Sequence, residues 1–197
     1  MCIRDRTKGA MQALNMGDPQ SLKTDVGPVI DTPALKGLKE HQAYLDEVGI
    51  CLYQMPLSDA CNNGTFFGPA LYEIQSLNDL KGEVFGPIVH LIRYGSKDIG
   101  KVIKDINATQ FGLTFGIHSR IESFINDVVA KIHVGNVYVN RNMIGAQVGV
   151  QPFGGQGLSG TGPKAGGPNY LPRLCHEKTI TVNTVAVGGN VTLMSKA

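Results

Sequence analysis

Between Ile88 and Asn140 the spacing of the apolar residues alternates between the strand and the helix pattern. Ile88 to Tyr94 reads as a buried strand. Ile99, Val102, Ile103 and Ile106 recur at i, i+3, i+4 and i+7, the spacing of one helix face. Phe111 to Ile117 returns to strand. Ser119 and Glu122 are spaced as a capping box, ahead of the stripe Ile121, Phe124, Ile125, Val128, Val129 and Ile132. Val134 to Asn140 closes the series as a third strand. Strand, helix, strand, helix, strand at these lengths predicts an α/β fold with a parallel βαβαβ core and right-handed crossovers.

The flanks are less regular. Lys8 to Met16 reads as the end of a helix, closed by Gly17 and Pro19. The first six residues, Met1 to Arg6, fit nothing that follows and are expected to be a non-native leader. A further helix opens at Asp31-Thr32-Pro33, with Thr32 as its predicted N-cap and Pro33 in the first turn. Leu35, Leu38, Leu45 and Val48 share its apolar face, and Gly49 ends it. Ile50 to Gln54 is a short strand, Asp59 to Gly64 a polar turn, and Thr65 to Ile74 a strand interrupted at Gly68-Pro69. Thr179 to Asn183 alternates like an edge strand, and Val185 to Met194 suggests another. Residues 7–178 are thus read as one domain, and 179–197, too small for a core of its own, as a tail expected to pair with another element.

Composition removes several functions. With 42% hydrophobic and 17% charged residues in 197, the chain can bury a core. A net charge of +2 leaves no basic stripe for nucleic acid. No apolar run approaches the roughly 20 residues of a membrane span, and no secretory signal opens the chain, so a cytoplasmic location is expected. The four cysteines, Cys2, Cys51, Cys61 and Cys175, form no C-x-x-C pair and have no histidine at ligand spacing, so no metal site is expected. Cys175-His176 is a poor catalytic pair, because adjacent side chains seldom face each other as nucleophile and base.

Gly145 to Gly167 carries neither period, and a long structureless loop within a compact domain is usually functional. Gly155-x-Gly157-x-x-Gly160 matches a dinucleotide fingerprint literally. Pro152 before it and Pro163 after it deny it the required strand and helix, so that reading is rejected. The glycines suit either a tight loop packed on a neighbour or a site lined by main-chain N–H groups, and the second is preferred. Glu83-Val84-Phe85-Gly86-Pro87 directly precedes the first strand of the α/β series. Taken alone, Glu83 is a solvated loop charge. A carboxylate can also accept two hydrogen bonds from a vicinal diol, and Phe85 offers a flat aromatic face.

These strings together resemble the aldehyde dehydrogenase superfamily. Glu83 to Pro87 resembles its E-x-F-G-P motif, and Gln151-Pro152-Phe153-Gly154-Gly155 with Ser159-Gly160 resembles its P-F-G-G…S-G loop. Asp25 to Ile30, Phe111 to Thr114 and Gly135 to Asn140 fall in the family order, so the resemblance spans Thr7 to Ala197. Asn140 to Ala146, Gly157 to Pro168, Thr181 to Thr184 and Gly188 to Asn190 are similar to the L-glutamate γ-semialdehyde (1-pyrroline-5-carboxylate) dehydrogenase module of the bifunctional proline utilization A proteins.

The resemblance implies NAD as cofactor, with Glu83 on the nicotinamide ribose and Phe85 beside the nicotinamide. It implies that Gly145 and Ala146 grip the substrate's α-carboxylate through main-chain N–H groups, and that Phe153 packs on the substrate's aliphatic part. The last strand would join an oligomerisation flap, in a homo-oligomer. The family's nucleophilic cysteine, general base and Rossmann domain lie upstream of the region matched, so the chain is expected to be a C-terminal fragment with no catalytic residue of its own. Its partner would be the missing N-terminal part of the same polypeptide. Two alternatives stay open: another aldehyde substrate, or a non-catalytic assembly or binding module.

Overall fold

A computed structural model describes residues 3–144, 146–147 and 149–183. The chain divides into two units, residues 1–105 and 106–197.

The first unit opens with helix α1 (Ile3–Gln12). It takes in Ile3 to Arg6, part of the segment expected to lie outside the fold; a helix propagates readily into any adjoining residues without a breaker. It also stops short of Met16. Main-chain pairing competes there: the Asn15 amide meets the Asp25 carboxylate at 2.9 Å, and Gly17 N–H reaches the Val26 carbonyl at 3.1 Å.

Helix α2 (Thr32–Val48) is capped one residue earlier than expected. Asp31, in extended conformation, accepts from the Ala34 amide at 2.8 Å, so Thr32 is already helical. The chain then forms β1 (Ile50–Gln54), β2 (Ala70–Glu73) and β3 (Ile88–Leu91). β2 is central, antiparallel to β1 and parallel to β3, with Ala70 opposite Ile88 and Glu73 opposite Leu91. Only Ala70–Glu73 of the predicted strand 65–74 joins the sheet. Thr65 instead exchanges main-chain and hydroxyl bonds with Val29.

All four β2 residues are buried, and the core is Leu38, Leu45, Phe67, Ala70, Tyr72 and Ile74. A fully buried leucine contributes about 1.5–3 kcal/mol here. The two buried polar groups of β2 are both paired, as burial demands. Tyr72 donates to Asp46 at 2.6 Å, and Glu73 accepts from Arg93 Nε at 2.6 Å. The division between units falls within α3 (Ile99–Ala108).

The second unit contains β4 (Phe111–Gly112), β5 (Thr114–Ile117), α4 (Glu122–Lys131), β6 (Asn136–Val139), β7 (Gln156–Gly157) and α5 (Tyr170–Arg173). The crossover β5–α4–β6 is parallel, Thr114 opposite Asn136 and Ile117 opposite Val139, as the alternation predicts. The α/β class is as expected, but the parallel pairing is shared between two sheets: β3 pairs with β2, and β5 with β6. The predicted strand 111–117 breaks at Leu113 into β4 and β5, because β4 turns to pair with β7 inside the glycine-rich stretch.

The capping box at α4 is not formed. Ser119 stands two residues before the N-cap Ile121, and its hydroxyl accepts from the Ile121 amide at 3.1 Å. Thr179 to Asn183 forms no strand, and Ile180 and Val182 are exposed. The rest of the predicted flap, 184–197, lies outside the described residues. Among the described residues no helix is long and apolar enough to cross a membrane.

Candidate functional site

The loop before β3 is shaped by residues two apart. Val84 packs on the core cluster. Gly86 passes so close to α2 that an added methyl group would overlap the Leu38 side chain. Pro87 is tied to the sheet by the Ala70 amide, which donates to its carbonyl at 2.9 Å. Anchoring at 84 and 86 leaves Glu83 and Phe85 facing away from the core. Glu83 is exposed and has no hydrogen-bond or ion-pair partner among the described residues. Phe85 is 80% exposed. Lys81 does not neutralise Glu83; its ammonium lies 3.9 Å from the centroid of the Tyr44 ring.

The second unit carries the other predicted residues. Gly145 lies outside the described residues. Ala146 is half-buried, and among the described residues its amide has no hydrogen-bond partner. Phe153 exchanges two main-chain bonds with Ala165, at 3.0 and 2.9 Å, while its ring remains 37% exposed. Glu83 and Phe85 thus share one loop of the first unit, and Ala146 and Phe153 belong to the second.

The fingerprint glycines serve chain packing, the tight-loop alternative for this stretch. A methyl at Gly160 would lie 2.6 Å from the Gly155 carbonyl, and one at Gly155 would lie 2.5 Å from the Ser159 carbonyl. Gly157 has φ +61 and faces the Gln110 carbonyl, which accepts from Leu158 N–H at 2.9 Å. Ser159 N–H is spent on the Gln156 carbonyl. Glycine here lets one strand of backbone cross another.

Sequence reasoning missed Lys164. Its ammonium reaches the Gly135 carbonyl, Asn136 Oδ1 at 3.0 Å and the Gly154 carbonyl at 3.2 Å. A signal existed: Lys164 is the sole charged residue between Arg141 and Arg173. An isolated charge in an apolar, glycine-rich stretch must find partners if it is to be even half-buried.

Other features do not form a competing centre. A groove of about 490 Å³ runs along α2, lined by Thr32, Leu35, Lys36, Lys39, Glu40 and Ala43 and by neither Glu83 nor Phe85. Cys61 is buried against Ser58, and Cys175 donates to the Leu171 carbonyl. Among the described residues no three metal-ligating side chains converge.

The aldehyde dehydrogenase family model matches residues 3–180. The bifunctional protein PutA of Escherichia coli is 48% identical over 187 residues, covering 88% of this chain and 14% of its own length. A crystal structure of a Bradyrhizobium japonicum proline utilization A mutant superposes with a TM-score of 0.87 at 46% identity, over 93% of this chain and 18% of that one. A 1-pyrroline-5-carboxylate dehydrogenase from Thermus, solved with bound NAD, gives 0.76 at 31% identity, over 85% of this chain and 32% of that one. The chain therefore spans about one seventh of the length of the bifunctional relatives it matches and about a third of the shorter dehydrogenases.

Proposed function

The chain belongs to the aldehyde dehydrogenase family, and from that premise we propose that it supplies the coenzyme-ribose and substrate contacts of a dehydrogenase that oxidises L-glutamate γ-semialdehyde to L-glutamate with NAD in proline catabolism. The observation that carries this reading is the pairing on one anchored loop of an exposed ring, Phe85, and a carboxylate, Glu83, with no partner among the described residues. A free carboxylate fits the two hydroxyls of a ribose, and a flat ring two residues away fits a nicotinamide. Both groups are compatible with NAD, which when bound accepts the hydride in this family's oxidation.

The chain's own residues would bind and orient. Glu83 would accept hydrogen bonds from both ribose hydroxyls, and Phe85 would shield one face of the reacting ring. Ala146, whose amide has no hydrogen-bond partner among the described residues, would donate to the substrate carboxylate together with Gly145. Phe153 would pack on the aliphatic carbons, excluding water beside the aldehyde. None of Cys51, Cys61 and Cys175 is assigned the attack on the aldehyde. That step would come from the N-terminal part of a longer polypeptide, in a cytoplasmic homo-oligomer.

The test is Ala146→Pro, which removes one N–H from the carboxylate site. It is made in E. coli PutA carrying this chain in place of its matching region. Losing a hydrogen bond to a charged group costs about 1.5–3 kcal/mol. The ratio of kcat/KM for the semialdehyde over an uncharged aldehyde of similar length should fall about ten- to a hundredfold. An unchanged ratio, with both activities equally reduced, would remove the semialdehyde assignment.

A further inference from the structure

We infer that Lys164 is a positioning residue for Phe153: its ammonium pins the segment 152–154 so that the Phe153 ring stands as a fixed wall beside the substrate. The substrate half of this inference rests on the function proposed above; the pin itself does not.

An ammonium has three donors, and Lys164 has three oxygen acceptors: the Gly135 and Gly154 carbonyls and Asn136 Oδ1. Asn136 continues the clamp. Its Oδ1 also accepts from Gly154 N–H at 3.3 Å, and its Nδ2 donates to the Pro152 carbonyl at 3.0 Å. Phe153 N–H and C=O are both taken by Ala165, the residue after Lys164. The carbonyl of Pro152, both main-chain groups of Phe153 and both of Gly154 are therefore all bonded. A loop satisfied in this way has no solvent-bonded alternative of equal quality.

The pin works only because the backbones pass very closely. A methyl at Gly135 would overlap the Gly154 carbonyl, and one at Gly154 would lie 3.3 Å from Lys164 Cα. Half-burying a cation costs solvation, and no Asp or Glu lies between Arg141 and Arg173 to offset that cost. Its bonds go instead to oxygens of the segments 135–136 and 154, which fixes their relative position. The one large side chain that the pinned segment displays is Phe153, whose ring remains partly exposed although the main-chain groups of residues 152–154 are held.

The first measurement is amide hydrogen exchange on the 197-residue chain, in wild type, Lys164→Met and Asn136→Ala. Exchange at Phe153, Gly154 and Ala165 should accelerate by about tenfold or more, with α4, β5 and β6 within about twofold of wild type. Unchanged exchange at these three amides in both variants would overturn the pin. The second measurement uses the E. coli PutA graft. Phe153→Ala and Lys164→Met should each raise KM for the semialdehyde by about five- to tenfold while kcat changes less than about threefold, and the double variant should be no worse than Phe153→Ala alone, because Lys164 acts through the ring. Multiplying effects would mean that Lys164 only supports the fold, which overturns the positioning role. Accelerated exchange together with an unaltered KM in Phe153→Ala would overturn the substrate contact of Phe153 and leave the pin standing. A graft without turnover leaves the exchange result to decide the pin.

Discussion

The side-chain amide of Asn140 is bonded to both main-chain groups of Ser119: its Oδ1 accepts from Ser119 N–H at 3.0 Å and its Nδ2 donates to the Ser119 carbonyl at 2.9 Å. Asn140 holds φ +54, a left-handed conformation that asparagine tolerates better than most residues. The amide thus extends the β5–β6 pairing past its last strand residues and sets where the chain turns into α4. Each bond contributes about 0.5–1.5 kcal/mol. Asn140→Ala should lower stability of the second unit by about 1–3 kcal/mol, and Asn140→Asp, which keeps the acceptor but loses the donor, should fall between. Urea denaturation of the three proteins checks this; equal midpoints would show the clamp to be energetically idle.

Glu83→Gln tests the coenzyme contact. The substitution keeps the shape and one acceptor oxygen but removes the charge that strengthens bonds to ribose hydroxyls, worth about 1.5–3 kcal/mol. In the grafted enzyme, KM for NAD should rise by about tenfold or more. Kinetics within about twofold of the unsubstituted graft would make Glu83 an ordinary solvated loop charge.

The 197-residue chain alone should not oxidise glutamate semialdehyde with NAD. No described cysteine lies against a histidine or carboxylate base: Cys51 neighbours the Tyr72 hydroxyl, Cys61 sits against Ser58, and Cys175 against a main-chain carbonyl. NADH formation followed at 340 nm against a buffer blank is the measurement, and turnover above the blank contradicts the assignment of residues.

A pH dependence is built into the first unit. His41 on α2 and His90 on β3 face each other with Nε2 atoms 2.9 Å apart, so one ring donates and the other accepts. Two protonated rings cannot share that contact. Burial lowers the pKa of both below the ordinary 6.5, and the charge of His41 lowers that of His90 further. The folded form therefore binds fewer protons than the unfolded chain. The stabilisation is complete above about pH 6.5 and is lost as pH falls through the lower folded values. Between about pH 7 and pH 5.5 the wild type should lose stability more steeply than a His41→Gln/His90→Gln double variant. Equal slopes in pH-dependent urea midpoints would exclude this pair as the source.

The candidate residues could be named from the sequence, and what surrounds them could not. Glu83 and Phe85 could be singled out from their motif; that Val84 and Gly86 turn inward and leave them outward is seen only in the fold. Phe153 was legible from its motif, but what holds it was not. Lys164 and Asn136 are 28 residues apart, and no local pattern links them. The capping choices failed at short range for a related reason. Asp31 and Thr32 are both good caps, as Ser119 is, and the winner depended on where the preceding chain was already fixed.

The sequence by itself determined the helices α2, α3 and α4, the parallel crossover β5–α4–β6, and the family, because side-chain period and short motifs are written within a few residues of each other. Only the tertiary structure decided that β3 pairs with β2, that β4 leaves its neighbour to pair with β7, and that the fingerprint glycines pack backbone on backbone. Those outcomes depend on which distant segment supplies the partner for a main-chain N–H or C=O. Every residue carries those same two groups, proline lacking only the N–H, so their choice of partner is set by what the assembled fold brings within about 3 Å.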